Sequence, residues 1–189
     1  KGSNRYFYGD IITGMHKAYT ELKAFNVKLT EYYFQPTWEE QYITLEKVLK
    51  EYGNDMDGLV TNMTDSTKLN PVIKRFTDKG IAVVTVVNDA PESTRNACIV
   101  CDDFAAGSTA AELMYKFCNK KEGQLIVLGG NRYFQNNHES VMGFISTVNK
   151  LMPNTEILEN YEFWHEDLLE KQVIKYLTAF DDTLGRYAN

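Results

Sequence analysis

The segment Gly80-Ile81-Ala82-Val83-Val84-Thr85-Val86-Val87-Asn88-Asp89-Ala90-Pro91 reads as a glycine stop, a continuous apolar run and a polar turn carrying proline. Most of the run is β-branched. An apolar stretch this short and unbroken predicts a strand covered on both faces, the signature of the inside of a parallel sheet. It is far too short to cross a bilayer.

Upstream, Leu69, Val72, Ile73 and Phe76 recur at helical spacing and Gly80 closes that helix; Gly58 to Met63 predicts another strand. Further back, Thr37-Trp38-Glu39-Glu40 has the form of a capping box, a hydroxyl and a carboxylate placed to satisfy each other's free amides. Behind it Tyr42, Leu45, Leu49 and Tyr52 form one face, with Gly53 as the stop. Val27 to Phe34 alternates like a strand. From Asp10, residues Ile11, Met15, Ala18, Leu22 and Phe25 predict a helix. Downstream the order is strand (Asn96 to Cys101), helix (Phe104 to about Asn119), strand (Leu125 to Leu128) and helix (Val141, Ile145, Val148, Met152). A strand from Glu156 to Phe163, a helix with Leu169, Val173, Tyr176, Leu177 and Phe180, and a strand near Leu184 complete the series. This alternation predicts an α/β fold of right-handed βαβ units, with open, mostly parallel sheets flanked by helices. The pattern begins as if just after a first strand and breaks off at Asn189 where a strand should hand over to a helix. It predicts a domain incomplete at both ends.

The 189 residues are 43% hydrophobic and 24% charged, material for one large domain or two small lobes. Net charge is −6, and no Lys/Arg stripe for neutralising phosphates is present, so the chain is not expected to grip DNA by itself. No basic-then-apolar leader opens the sequence, and no membrane association is expected. Cys98, Cys101 and Cys118 are an odd set. The CxxC spacing of the first two falls in a strand-like run, where residues three apart point to opposite faces. Free, mostly buried thiols are expected, which favours a reducing compartment.

In open α/β sheets ligands bind beyond the carboxyl ends of the strands. That rule nominates the loops at 3–9, 35–37, 62–65, 87–93, 129–138, 163–165 and Asn189. Among their residues are Phe7, Tyr8, Trp38, Tyr133, Phe134, Trp164, Asn62, Asn88, Asp89, Asn136, Asn137 and His138. Aromatic faces beside amides and carboxylates suit a polyol, whose C–H face stacks while its hydroxyls need donors and acceptors. Loops of any such fold also collect these residue types, and both readings stand at this level. An enzyme is not expected. No GxGxxG, GxxxxGK[ST] or GxSxG is present, and the three histidines lack metal-ligand spacing. Asp102-Asp103 at a strand end predicts a cap for the next helix. No cofactor or metal is expected.

The ordered segments resemble the type I periplasmic-binding-protein superfamily, most closely the effector-binding domains of LacI/GalR-type transcriptional regulators. Phe7-Tyr8-Gly9-Asp10-Ile11-Ile12-Thr13-Gly14 is similar to the aromatic pair and glycine that open that family's first helix. Asn62-Met63-Thr64-Asp65-Ser66 and Val83 to Ser93 resemble its ligand loops. Asp103-Phe104-Ala105-Ala106-Gly107 resembles its crossover into the second lobe, and Gly143-Phe144, Trp164 and Tyr187-Ala188-Asn189 fall at similar places. The resemblance implies a two-lobed clamp, lobes 1–102 and 103–189, that ligand biases toward closure. It implies that Phe7 and Tyr8 stack on a sugar and that Asn62, Asn88, Asp89, Trp164 and Asn189 line the cleft, with His138 and Ser140 as further candidates. Two positions depart from it: Ser140 where the family often has a sugar-binding arginine, and Val87 where many members have aspartate.

The resulting expectation is a carbohydrate-binding effector domain of a cytoplasmic, homodimeric regulator that reaches DNA only through a headpiece outside this chain. The alternative is an extracytoplasmic sugar-binding receptor serving a transporter or sensor.

Overall fold

The computed structural model describes residues 3–118, 122–160, 170–171, 173–175, 178 and 183–188. The chain divides into two compact units, Lys1–Tyr33 and Phe34–Asn189.

The first unit carries helix α1 (Ser3–Leu22) and a 3₁₀ turn (Lys23–Phe25) that ends with Asn26 in the left-handed region at φ 60°. The helix starts seven residues earlier than Asp10, so the predicted 3–9 loop is helical instead. Aromatics and Gly9 are weak helix formers and hide the start from a propensity reading. Residues 27–34 form no ladder among the described residues, contrary to the predicted strand. Alternation marks a face that could be buried, but only a partner edge makes a strand. His16 Nε2 meets Glu31 Oε1 at 2.5 Å, and the Tyr33 hydroxyl donates to Glu31 Oε2 at 2.6 Å.

The second unit contains two three-stranded sheets. Strands β1 (Gly58–Thr61), β2 (Ala82–Val86) and β3 (Ala97–Ile99) lie in the order β1-β2-β3; β4 (Gly123–Leu128), β5 (Thr155–Asn160) and β6 (Thr183–Ala188) lie in the order β5-β4-β6. Every pairing is parallel. The α/β fold with parallel sheets and flanking helices is as the sequence predicts. The run at Ile81 supplies β2, the centre of its sheet. Val83 and Thr85 are fully buried while Val84 and Val86 are half-buried, so one face is covered more completely than expected for a doubly covered strand.

Helix α2 (Trp38–Tyr52) starts where the capping motif lies. Thr37 Oγ1 accepts from the Glu40 amide at 3.3 Å, but the Thr37 amide donates to the Gln35 carbonyl, so half of the box forms. The buried face is Gln41, Leu45, Val48 and Leu49; Tyr42 is only half-buried and Tyr52 is exposed. Helix α3 (Asn70–Asp78) buries Val72, Ile73 and Phe76 completely and ends before Gly80, whose φ of 79° few other residues tolerate. With Leu69 and Met63 these residues make the first core. Each fully buried Leu, Ile or Phe contributes roughly 1.5–3 kcal/mol.

The second core packs helices α4 (Asp103–Phe117) and α5 (Gln135–Leu151) beside β4 through Ala111, Leu125, Val127, Val141, Phe144, Val148 and Met152. Gly107 and Gly143 let the two helices touch. A β-carbon on Gly107 would overlap the Ser140 carbonyl, and one on Gly143 would overlap the Phe104 carbonyl. Ser108 Oγ donates to the Gly143 carbonyl at 3.2 Å. The three cysteines are free, as expected, but Cys98 and Cys101 are exposed and Cys118 half-buried. For Cys98 the expected burial fails because β3 is an edge strand whose residues are all exposed. No described helix is long and apolar enough to cross a membrane.

Candidate functional site

An open cleft of about 200 Å³ lies at the crossover that joins the two sheets. The loop after β2 contributes Val87, Asp89 and Pro91, and the segment from β3 into α4 contributes Val100, Cys101, Asp102, Asp103 and Phe104. The start of α5 contributes Gln135, Asn136 and Glu139. The volume is below the usual 300–1,000 Å³ of drug-sized sites and suits a small ligand.

The β2 loop is tightly built. Val87 sits at φ 67°, a region costly for a β-branched residue, and the Asn88 amide closes a three-residue turn onto the Val86 carbonyl at 2.8 Å. Backbone held against its preference at a cleft is a mark of function. Asn88 is buried, and its Oδ1 has no hydrogen-bond partner. Asp89 is buried too. It accepts from Thr85 Oγ1 at 2.5 Å and from both Nε and Nη2 of Arg95. Burial pushes the Asp89 carboxyl up, but Arg95, Thr85 and the Ala90 amide together outweigh it and hold the group below the usual carboxylate range.

The crossover shows the opposite balance. Asp102 Oδ1 accepts from the Ala105 amide at 2.9 Å, the cap predicted for α4. Asp103 beside it is held above the ordinary aspartate value by burial and by the neighbouring charges of Asp102 and Glu139. Burial, aided by that repulsion, outweighs the favour a helix N-terminus shows to anions.

The loop after β1 is fixed from α2. Gln41 is fully buried and all its polar atoms are engaged: Nε2 donates to Thr61 Oγ1 and the Asn62 carbonyl, and Oε1 accepts from the Thr64 amide and hydroxyl. Asp65 then caps the next turn, accepting from the Thr67 and Lys68 amides at 2.9 and 2.8 Å.

Of the candidate residues, Asp89 lines the cleft, and Asn88 stands between two lining residues. Asn62 directly follows β1 at the same sheet edge and is half-buried. His138 is exposed on α5, and Ser140 is buried with its carbonyl against Gly107; neither lines the cleft. Phe7 and Tyr8 lie on α1 in the first unit, Tyr8 half-buried. Trp164 and Asn189 lie outside the described residues. Sequence reading missed Gln41, whose polarity hides it from any apolar pattern. It also missed Glu139, one helical turn beyond Gln135 of the nominated 129–138 loop. Among the described residues no three His, Cys, Asp or Glu side chains are disposed to hold a metal.

No curated protein matches the chain. Solved structures do. The periplasmic component of an ABC-type sugar transport system from Hahella chejuensis is 18% identical over 96% of this chain and 65% of that one, with a TM-score of 0.84. An ABC transporter solute-binding protein from Burkholderia graminis, in complex with D-arabinose, is 25% identical over 80% and 51%, with a TM-score of 0.70. The fructose-binding periplasmic domain of a hybrid two-component system is 18% identical over 86% and 53%, with a TM-score of 0.76. The chain thus spans about half to two thirds of the length of these proteins. The expected cytoplasmic location is overturned by these matches, which are to periplasmic and transporter-linked binding proteins. The thiols that favoured a reducing compartment include two exposed ones, so their burial is no argument for it. The periplasmic binding protein domain family matches residues 1–188, and the chain belongs to that family.

Proposed function

We propose that this chain is most of the ligand-binding domain of an extracytoplasmic sugar receptor that serves a transporter or a sensor. The observation that carries it is the family match over residues 1–188, together with a cleft beyond the ends of β2 and β3 and beside the start of α5. Val87, Pro91, Val100 and Phe104 offer an apolar wall for a sugar's C–H face. Asp103, Gln135, Asn136 and Glu139 offer acceptors and donors for its hydroxyls. Asp102-Asp103 marks the boundary between lobes 1–102 and 103–189. Asn62, Asn88 and Asp89 belong to the ligand loops, Asp89 chiefly as their brace. Phe7, Tyr8, Trp164 and Asn189 are assigned to the ligand by resemblance, and His138 and Ser140 are the weakest of the set.

The transcription-regulator reading, with its headpiece and homodimer, is not what the three solved structures described above support, since they are transporter or sensor components.

Calorimetric titration of the full-length protein with D-arabinose and fructose tests the sugar assignment, and saturable binding of one of them is expected. Export is tested in intact cells by a membrane-impermeant maleimide, since Cys98 and Cys101 are exposed. Labelling before lysis is the expected result; labelling only after lysis contradicts an extracytoplasmic receptor.

A further inference from the structure

Lys68 lies between two aromatic rings that come from opposite sides of the crossover. Its ammonium stands 4.6 Å from the centroid of Trp38, the first residue of α2, and 5.7 Å from that of Tyr133, in the loop between β4 and α5. Both distances are within the range at which a cation is drawn to a ring face. On its own side the lysine is held twice. Nζ is 3.9 Å from Asp65 Oδ2, and Asp65 is buried, with the Lys68 and Thr67 amides among the groups that outweigh burial and keep its carboxyl below the usual value. Tyr133 is held less firmly: it is 59% exposed, and its own amide donates to Asn131 Oδ1 at 2.9 Å. The strongly anchored end of this contact therefore belongs to the first sheet and the free end to the second.

We propose that Lys68 is a latch that holds the two strand-end rims together in the absence of ligand, with Trp38 as its seat and Tyr133 as its catch. The inference rests on reading the two sheets as the jaws of a clamp. An exposed cation–π contact shifts a closed-to-open ratio by roughly two- to fivefold. Where the closed state is the binding-competent one and the minor one at rest, apparent affinity changes by up to the same factor. The latch so sets a resting closed population without touching the ligand.

The test needs no ligand. Hydrogen–deuterium exchange of the full-length protein is compared for wild type, Lys68→Met and Lys68→Arg, with melting temperatures checking that each folds. Methionine keeps the apolar stem and removes the charge; arginine keeps a cation that stacks on rings. The expected result is exchange about two- to fivefold faster across residues 131–134 in Lys68→Met and near wild type in Lys68→Arg. Unchanged exchange at 131–134 in Lys68→Met, or the same acceleration in both variants, overturns the latch. Because no sugar is present, that failure leaves the receptor reading intact, whereas failure of sugar binding does not alter this result.

Discussion

The α-carbon of Gly107 on α4 faces the carbonyl of Ser140 on α5 so closely that a β-carbon there would overlap the oxygen. The contact is reciprocated one turn on, where Gly143 faces the Phe104 carbonyl. Two backbones in contact leave no room for adjustment, because both obstructing atoms are main chain. Gly107→Ala and Gly143→Ala are each expected to destabilise by about 1–3 kcal/mol or more. At about 2–4 °C per kcal/mol for a domain of this size, thermal unfolding resolves that loss. A change of under 1 °C in either variant would mean that the helices do not approach this closely.

Two aspartates of the cleft should respond to pH in opposite senses. Asp89 is depressed by Arg95 and Thr85, so the stability it contributes is complete above the unfolded value near 3.9 and is lost as pH falls through its lower folded value. Asp89→Asn should therefore be destabilised at pH 7 and approach wild type in acid. Asp103 is raised by burial, Asp102 and Glu139, so its charged form is a penalty above that range. Asp103→Asn should be more stable than wild type at pH 7, with the advantage vanishing below about pH 4. Denaturant melts at pH 3.5 and 7 measure both.

Gln41→Leu removes all four hydrogen bonds that tie the β1 loop to α2. The Thr64 amide and hydroxyl are left unpaired at about 1–3 kcal/mol each, whereas Thr61 Oγ1 and the Asn62 carbonyl keep their mutual bond. The variant should unfold at lower denaturant and show faster amide exchange at Thr64. Wild-type exchange at Thr64 would contradict the role given to this side chain.

Val87→Asn should relieve the cost of a β-branched residue at φ 67°. Asparagine tolerates that region, and a gain of about 1 kcal/mol is expected. A lower melting temperature would show that packing of the valine outweighs its backbone strain.

The sequence carried the order of elements because each has its own local signal. Leu69, Val72, Ile73 and Phe76 are all fully buried, as their spacing requires, and the Ile81 run is a sheet centre. Where the signal depends on a partner it misleads. Residues 27–34 alternate but form no strand ladder among the described residues, and α2 turns Gln41 rather than Tyr52 inward. The cleft was legible only as loops at strand ends. Asp89 was found but given a ligand's contacts, whereas Arg95, six residues on, occupies both of its oxygens. Glu139 was missed because a polar turn at a helix start looks the same whether it faces water or a cleft. Location was misread because the resemblance was carried down to the LacI/GalR effector domains and free thiols were taken to favour a reducing compartment, whereas the loop motifs belong to the wider periplasmic-binding family.

The most direct measurement is a thermal-shift screen of the full-length protein against D-arabinose, fructose and a panel of other neutral pentoses and hexoses. A receptor for one of them should be stabilised by about 2.7 kcal/mol at a hundred times its dissociation constant. A raised melting temperature for one sugar and not for its epimers is the predicted result. No shift with any neutral sugar would contradict the sugar assignment while leaving the periplasmic-binding-protein fold in place.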